Sequence, residues 1–157
     1  MSGNKFIQQL RHPVKFRLYL LWKLPAAFFS GVRIREIDEQ HCAVTVPFKW
    51  LTQNPFRSTY FASLAMAAEM STGSLAMVHV YGKRVSMLVV KFEAAYFKKA
   101  TGRTRFVCND GAALKAIVER AIATNEPQTF ATTSIGTNTQ GEKIAECTIT
   151  WSFKAKT

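Results

Sequence analysis

Between Ser58 and Gly82 the chain carries a single charged side chain, Glu69. The segment reads STYFASLAMAAEMSTGSLAMVHVYG and is rich in Ala, Met and Leu, which predicts one long helix. A helix that is apolar on most faces has to be enclosed, so the remaining elements must wrap around it. A carboxylate in such a helix is costly to ionise unless a charge or hydrogen bond stabilises it. Glu69 is therefore either a working acid or one that faces a solvated stripe or a structural partner.

The elements around this helix read mostly as strands. Residues 31–37 and 41–49 precede it, and the long β-rich run 84–97 follows. Residues 103–108, 128–136 and 143–153 read as further strands, with one short helix from an Asp110 cap to about Ala123. Ser58 or Thr59 is the expected cap of the long helix. No β-α-β alternation with a Gly-rich phosphate loop occurs, and the turns are short. The pattern predicts an α+β fold with an antiparallel sheet curled around the helix. With 157 residues, 48% of them apolar, the chain is expected to be one domain with a substantial core.

Residues 1–29 form a separate problem. Residues 13–24, PVKFRLYLLWKL, read as an amphipathic helix with Pro13 in its first turn. Val14, Leu18, Leu21 and Trp22 recur at helical spacing, so that stripe is expected to pack on the domain or to dock on an anionic membrane surface. Arg17, Lys23 and Pro25 interrupt the apolar run, which argues against a transmembrane span. Lys23 and the long charged lead also weaken a secretory signal reading, and an acid-free, Arg-bearing start leaves an organelle address open.

The net charge is +11, with 21 Lys and Arg against 10 Asp and Glu. Residues 1–35 hold Lys5, Arg11, Lys15, Arg17, Lys23, Arg33 and Arg35 and no acid. Such a balance attracts polyanions: nucleic acid, an anionic membrane or phosphate-bearing ligands. No helix-turn-helix, RNA-binding aromatic motif or zinc finger accompanies the charge, so no nucleic acid is expected. Cys42, Cys108 and Cys147 are widely spaced and form no CxxC pair, which fits reduced thiols in a cytoplasmic compartment. No metal-ligand spacing and no GxSxG, Walker or HExxH motif is present, and no metal is expected.

The segment NPFRSTYFASLAMAAE, Asn54 to Glu69, resembles the central-helix segment of hotdog-fold acyl-CoA thioesterases. It is most similar to the phenylacetate-pathway type and to a related family of uncharacterised hotdog domains. Their pattern is an Asn, a His-Gly-Gly six residues later, and an Asp or Glu nine residues after the His. Here those positions are Asn54, Tyr60-Phe61-Ala62 and Glu69. FEAAYFKKATGR, residues 92–103, is similar to the strand and turn that commonly follow the helix. The shared core spans about residues 30–154, with the N-terminal helix outside it.

The resemblance implies a hotdog fold that dimerises and hydrolyses acyl-CoA thioesters. Glu69 would be the general base or nucleophile, and Asn54 would orient water or a carbonyl. The backbone N–H of Phe61 would polarise the thioester oxygen, as helix N-termini do for anions. Tyr60 takes the place of the family histidine and can donate a hydrogen bond. Arg57, Lys98, Lys99 and Arg103 are candidates for the phosphates of coenzyme A, which enters as part of the substrate and not as a separate cofactor.

Phe61 and Glu69 are eight residues apart, about 800° of rotation and roughly 12 Å of rise along a helix. One helix cannot put both on the same carbonyl, whereas two helices from a dimer, or a dimer of dimers, can. Phe61 and Ala62 also replace glycines that would let a ligand approach the backbone. That replacement keeps open a second reading, a non-catalytic acyl- or lipid-binding module at a membrane periphery.

Overall fold

The computed structural model describes residues 2–156; Met1 and Thr157, the ends of the expected domain, lie outside the described residues. Six strands form one antiparallel sheet: β1 (Arg33–Ile37), β2 (Cys42–Val46), β3 (Val85–Tyr96), β4 (Thr104–Cys108), β5 (Gln128–Thr137) and β6 (Lys143–Ala155). Their order across the sheet is β1-β2-β4-β5-β6-β3. The long helix α4 (Phe61–Val80) lies in the concavity. Leu64, Ala67, Ala68, Leu75 and Ala76 of this helix share one core with Phe106, Ile149 and Phe153 of the sheet. This is the α+β arrangement expected from the apolar run.

The fully buried hydroxyls of α4, on Ser71 and Thr72, are satisfied within the fold, as buried polar groups usually are. Ser71 Oγ bonds to the Ala68 carbonyl and to Ser134 Oγ on β5, both at 2.7 Å. The Trp151 indole N–H on β6 donates to Thr72 Oγ1 at 3.1 Å. These bonds fix the rotation of α4 under the sheet and so fix the direction in which Glu69 points.

The cap falls one residue after Thr59 and two after Ser58, the expected positions. Tyr60 occupies the N-cap position and makes no side-chain cap bond. Ser58 and Thr59 are buried instead: the Thr59 hydroxyl donates to the Ala100 carbonyl at 3.1 Å, and Ser58 bonds to Asn54. The Thr59 hydroxyl ties the loop before the helix to the turn after β3, and the Ser58 hydroxyl closes the loop on itself.

Helix α5 (Gly111–Thr124) packs on α4, β5 and β6. Asp110 stands at its N-cap, but its carboxylate accepts from the Thr133 N–H on β5 at 2.7 Å rather than capping the helix. Gly111 is required here, because a Cβ would come within 2.1 Å of the Glu39 carbonyl oxygen in the β1–β2 turn.

Strand β3 is one edge of the sheet and pairs only with β6, from Val85↔Ala155 to Tyr96↔Ala145. The register shifts between Val89 and Lys91, and a bulge of this kind bends the strand and increases its twist. Leu88, Val90, Phe92 and Tyr96 are all exposed along it.

The N-terminal extension forms α1 (Ser2–Arg11), α2 (Pro13–Lys23) and α3 (Pro25–Ser30). It is built into the core: Ile7, Leu10, Phe16 and Leu20 are buried. Two guanidinium groups fasten it to backbone. Arg11 donates through Nε and Nη2 to the Ile37 carbonyl at 3.0 and 2.7 Å. Arg17 donates to the Phe28 carbonyl at 3.1 Å and lies over the Phe28 ring, 4.1 Å from its centroid.

The face by which α2 packs is not the expected one. Val14, Leu18, Leu21 and Trp22 point outward, and Trp22 is 82% exposed. Helix α2 is apolar on two sides, and the Phe16/Leu20 side is the one that enters the core. α4 is long and apolar enough to cross a membrane, but 61% of its apolar window is buried within the fold.

Candidate active site

Glu69 projects from the middle of α4 onto the wall of a cavity of about 670 Å³. That volume falls within the roughly 300–1,000 Å³ of small-molecule sites. Four parts of the chain build it. Leu10 and Phe16 come from the N-terminal helices, Met70 and Met77 from α4, Met87 from β3 and Trp151 from β6. Gln9, Lys15 and Ser74 add polar atoms to an otherwise apolar wall.

Burial raises the pKa of Glu69 above the ordinary glutamate range. Among the described residues no hydrogen bond or ion pair engages its carboxyl group. Glu69 and Gly73 lie one turn apart, hence on the same face. A Cβ at Gly73 would stand 3.2 Å from Glu69 Oε1 and 3.0 Å from Trp151 Cζ2. The glycine thus makes room for carboxyl and indole side by side. Thr72 anchors both neighbours, accepting from the Trp151 N–H and donating to the Glu69 carbonyl at 3.1 Å.

The other proposed catalytic positions cluster at the N-terminal end of the helix. Asn54 Oδ1 accepts from the N–H groups of Phe56 and Ser58 at 3.0 and 3.2 Å, and its amide donates to Ser58 Oγ at 3.1 Å. Its carboxamide therefore holds the 54–59 loop in shape. Tyr60 and Phe61 are exposed and pack edge to face, with centroids 4.9 Å apart. The Tyr96 hydroxyl donates to the Phe61 carbonyl at 3.4 Å. The Phe61 N–H, in the first turn, has no intrahelical acceptor. Asn54, Tyr60 and Phe61 meet around the start of α4, and Glu69 opens onto a different surface roughly 12 Å along the helix axis.

Of the candidate phosphate ligands, Arg57 is exposed in a left-handed conformation, φ 58°. Lys99 Nζ reaches the Phe56 carbonyl at 3.5 Å, next to Arg57. It also borders a polar hollow of about 180 Å³ with Thr104 and Asn138. Lys98 is paired with Glu142. Arg103 is exposed. Lys99 and Arg57 thus share one surface, and Lys98 is already engaged.

Among the described residues the cysteines and His79 are not placed to act in the cavity. All three cysteines are buried, and burial pushes the Cys147 thiol up to about 11 and that of Cys108 to about 12. His79 bonds to the Glu39 carbonyl at 3.0 Å, and burial lowers its pKa. Among the described residues no group of three His, Cys, Asp or Glu side chains is placed to hold a metal ion.

A curved antiparallel sheet wrapped around a long central helix is a hotdog fold. The chain belongs to the family described as a domain of unknown function (DUF4442), whose model matches residues 16–153. No curated protein matches the sequence. Among solved structures it is similar to a Pseudomonas aeruginosa protein of unknown function described as "Probable Thioesterase". The TM-score is 0.79 at 19% identity, covering 92% of this chain and 97% of that one. A Haemophilus influenzae thioesterase is similar with a TM-score of 0.68 at 12% identity, covering 88% of each chain. A mutant thioesterase from P. aeruginosa gives 0.66 at 15% identity, over 90% of this chain and 94% of that one.

Proposed function

We propose that this protein is an acyl-CoA thioesterase whose site forms between two subunits. The observation that carries the reading is Glu69, a carboxyl group without a partner on the wall of an apolar cavity of substrate size. The thioesterase descriptions of the structural neighbours agree with it.

The chemistry follows from the groups available. The Glu69 carboxylate takes a proton from water as the oxygen attacks the thioester carbonyl. The tetrahedral oxyanion accepts a hydrogen bond from the N–H of Phe61 of the partner subunit, at a helix N-terminus. Collapse expels the thiolate of coenzyme A, which takes up the proton, and releases the carboxylic acid. In the nucleophilic variant Glu69 attacks the carbonyl itself, and water then cleaves the mixed anhydride. The positive end of the partner's helix would also oppose the upward pKa shift that burial imposes on Glu69. Arg57 and Lys99 supply charge for the phosphates, and no separate cofactor enters. The open edge of β3 supports the dimer, since an unpaired edge strand is a template for another chain. Buried, reduced cysteines accord with a cytoplasmic setting.

The test is thiol release from a panel of acyl-CoAs of different chain length, run on wild type and Glu69→Ala. Wild-type turnover that Glu69→Ala abolishes supports the reading. No hydrolysis across the panel, or full activity in the variant, refutes it. The exposed Phe61 ring at the helix start favours one alternative, a module that binds acyl chains without cleaving them. Stoichiometric acyl-CoA binding without turnover would select that alternative.

A further inference from the structure

We infer that the outer face of α2 docks the protein on an anionic lipid surface. At 100° per residue, Val14, Leu18, Leu21 and Trp22 occupy an arc of about 100° on that helix. All four are exposed, with Val14 and Leu18 at 61%. An apolar stripe of this kind on a monomer surface marks an interaction site. Helices that lie in a membrane interface combine such a stripe with cations at its border and an indole that sits at headgroup depth.

The charge around the stripe selects the partner. Lys15 falls just beyond Trp22 on the helix circumference and is exposed; Lys23, in the last turn, is exposed but lies about 100° round from Trp22. No acid occurs before Glu36, so the whole extension presents one sign of charge. A second copy of the chain is a poorer occupant. A two-fold contact sets the same patch against itself, which would face this acid-free, cation-bearing surface with a second one. An anionic bilayer supplies both the apolar layer and the opposite charge.

The surface is rigidly placed for this role. Phe16 and Leu20 bury the opposite side of α2, and Arg17 ties the helix to the Phe28 carbonyl. Phe16 and Tyr19 also line the cavity that holds Glu69, so docking sets the wall of that cavity against the lipid. The inference stands whether or not the cavity hydrolyses a thioester.

Flotation of the full chain with two kinds of vesicle tests it. One is phosphatidylcholine alone, and the other is phosphatidylcholine with about one third phosphatidylglycerol. Recovery is expected to be strong only with the anionic vesicles and to fall as salt rises. Trp22→Ser is expected to weaken binding roughly tenfold, the scale of one large apolar side chain. Lys15→Glu should weaken it on anionic vesicles. Equal recovery on both vesicles, or unchanged binding by Trp22→Ser with native circular dichroism, overturns the inference. So does a wild-type protein that ignores vesicles while Trp22→Ser reduces its oligomer size, which assigns the face to a second copy.

Discussion

The edge of the Trp151 indole lies against Gly73, where an added Cβ would stand 3.0 Å from Cζ2. Gly73→Ala brings a gain of about 1 kcal/mol in helix propensity. Against this, overpacking costs about 1–3 kcal/mol, and Trp151 cannot retreat freely because its N–H is bound to Thr72. The expected net result is a loss of about 1 kcal/mol, or a Tm lower by roughly 2–4 °C. Turnover on long acyl chains should fall more than on short ones, because the methyl group narrows the cavity beside Glu69. Calorimetry and an acyl-CoA chain-length series check both parts.

Burial raises the pKa of Glu69, so the folded state holds its proton at pH values where the unfolded chain has lost it. The sign follows from linkage: protons bound to N exceed those bound to U in that window, so stability falls as pH rises through it. The stability associated with the neutral carboxyl is full below the ordinary glutamate pKa and lost above the raised one. Glu69→Gln is therefore expected to have a higher Tm than wild type at neutral pH and no gain at pH 4. Its activity should be absent. The wild-type rate should climb with pH along a limb above the ordinary glutamate value. Scanning calorimetry at the two pH values, with a pH–rate profile, decides the matter.

Substituting Leu88→Lys and Val90→Lys together places two charges on the exposed edge of β3 without touching the buried core. Edge lysines oppose strand addition by another chain. The expected product is a folded monomer whose thioesterase rate is lower by about 100-fold or more, because Glu69 has lost the oxyanion donor that it needs in fixed geometry. Light scattering and the CoA-release assay give the two readouts. A monomer of unchanged activity would show that one chain suffices.

Leu20 is fully buried and anchors the inner side of α2. Leu20→Ala should cost about 2–5 kcal/mol, the range for deleting a large aliphatic side chain from a core. Urea denaturation measures it. The loss also loosens the helix that carries Phe16 and Tyr19 along the cavity wall, so KM for long-chain substrates should rise at temperatures where the variant stays folded.

Glu69 and its helix were visible in the residues because a long uncharged run fixes both the element and its enclosure. The strands followed from β-rich runs between turn residues, and five of the six begin or end within two residues of their expected bounds on both sides; β2 stops at Val46, ahead of the expected Lys49. α1 escaped notice because SGNKFIQQLR carries only Phe6, Ile7 and Leu10 as large apolar groups. The packing face of α2 was misread for a different reason. Helical spacing finds an apolar stripe, but two such stripes compete on α2, and the one with Phe16 and Leu20 turns inward while Arg17 binds the Phe28 and Val32 carbonyls. The cavity was not legible at all. Trp151 lies 82 residues after Glu69, and no local spacing connects them. Asn54 shows the converse: its spacing matched a pattern, and its side chain is occupied by the loop it shapes.

Arg11 and Arg17 attach the N-terminal helices by gripping main-chain oxygens of Phe28, Val32 and Ile37. A grip on carbonyl oxygens reads the path of the backbone and not the identity of the residue it passes. The bonds to Val32 and Ile37 therefore depend on the course of the backbone, whereas at Phe28 the ring beneath Arg17 is itself part of the tether. Both guanidinium groups, by contrast, are hard to replace, because lysine offers a point charge where the Arg11 fork meets one oxygen with two donors.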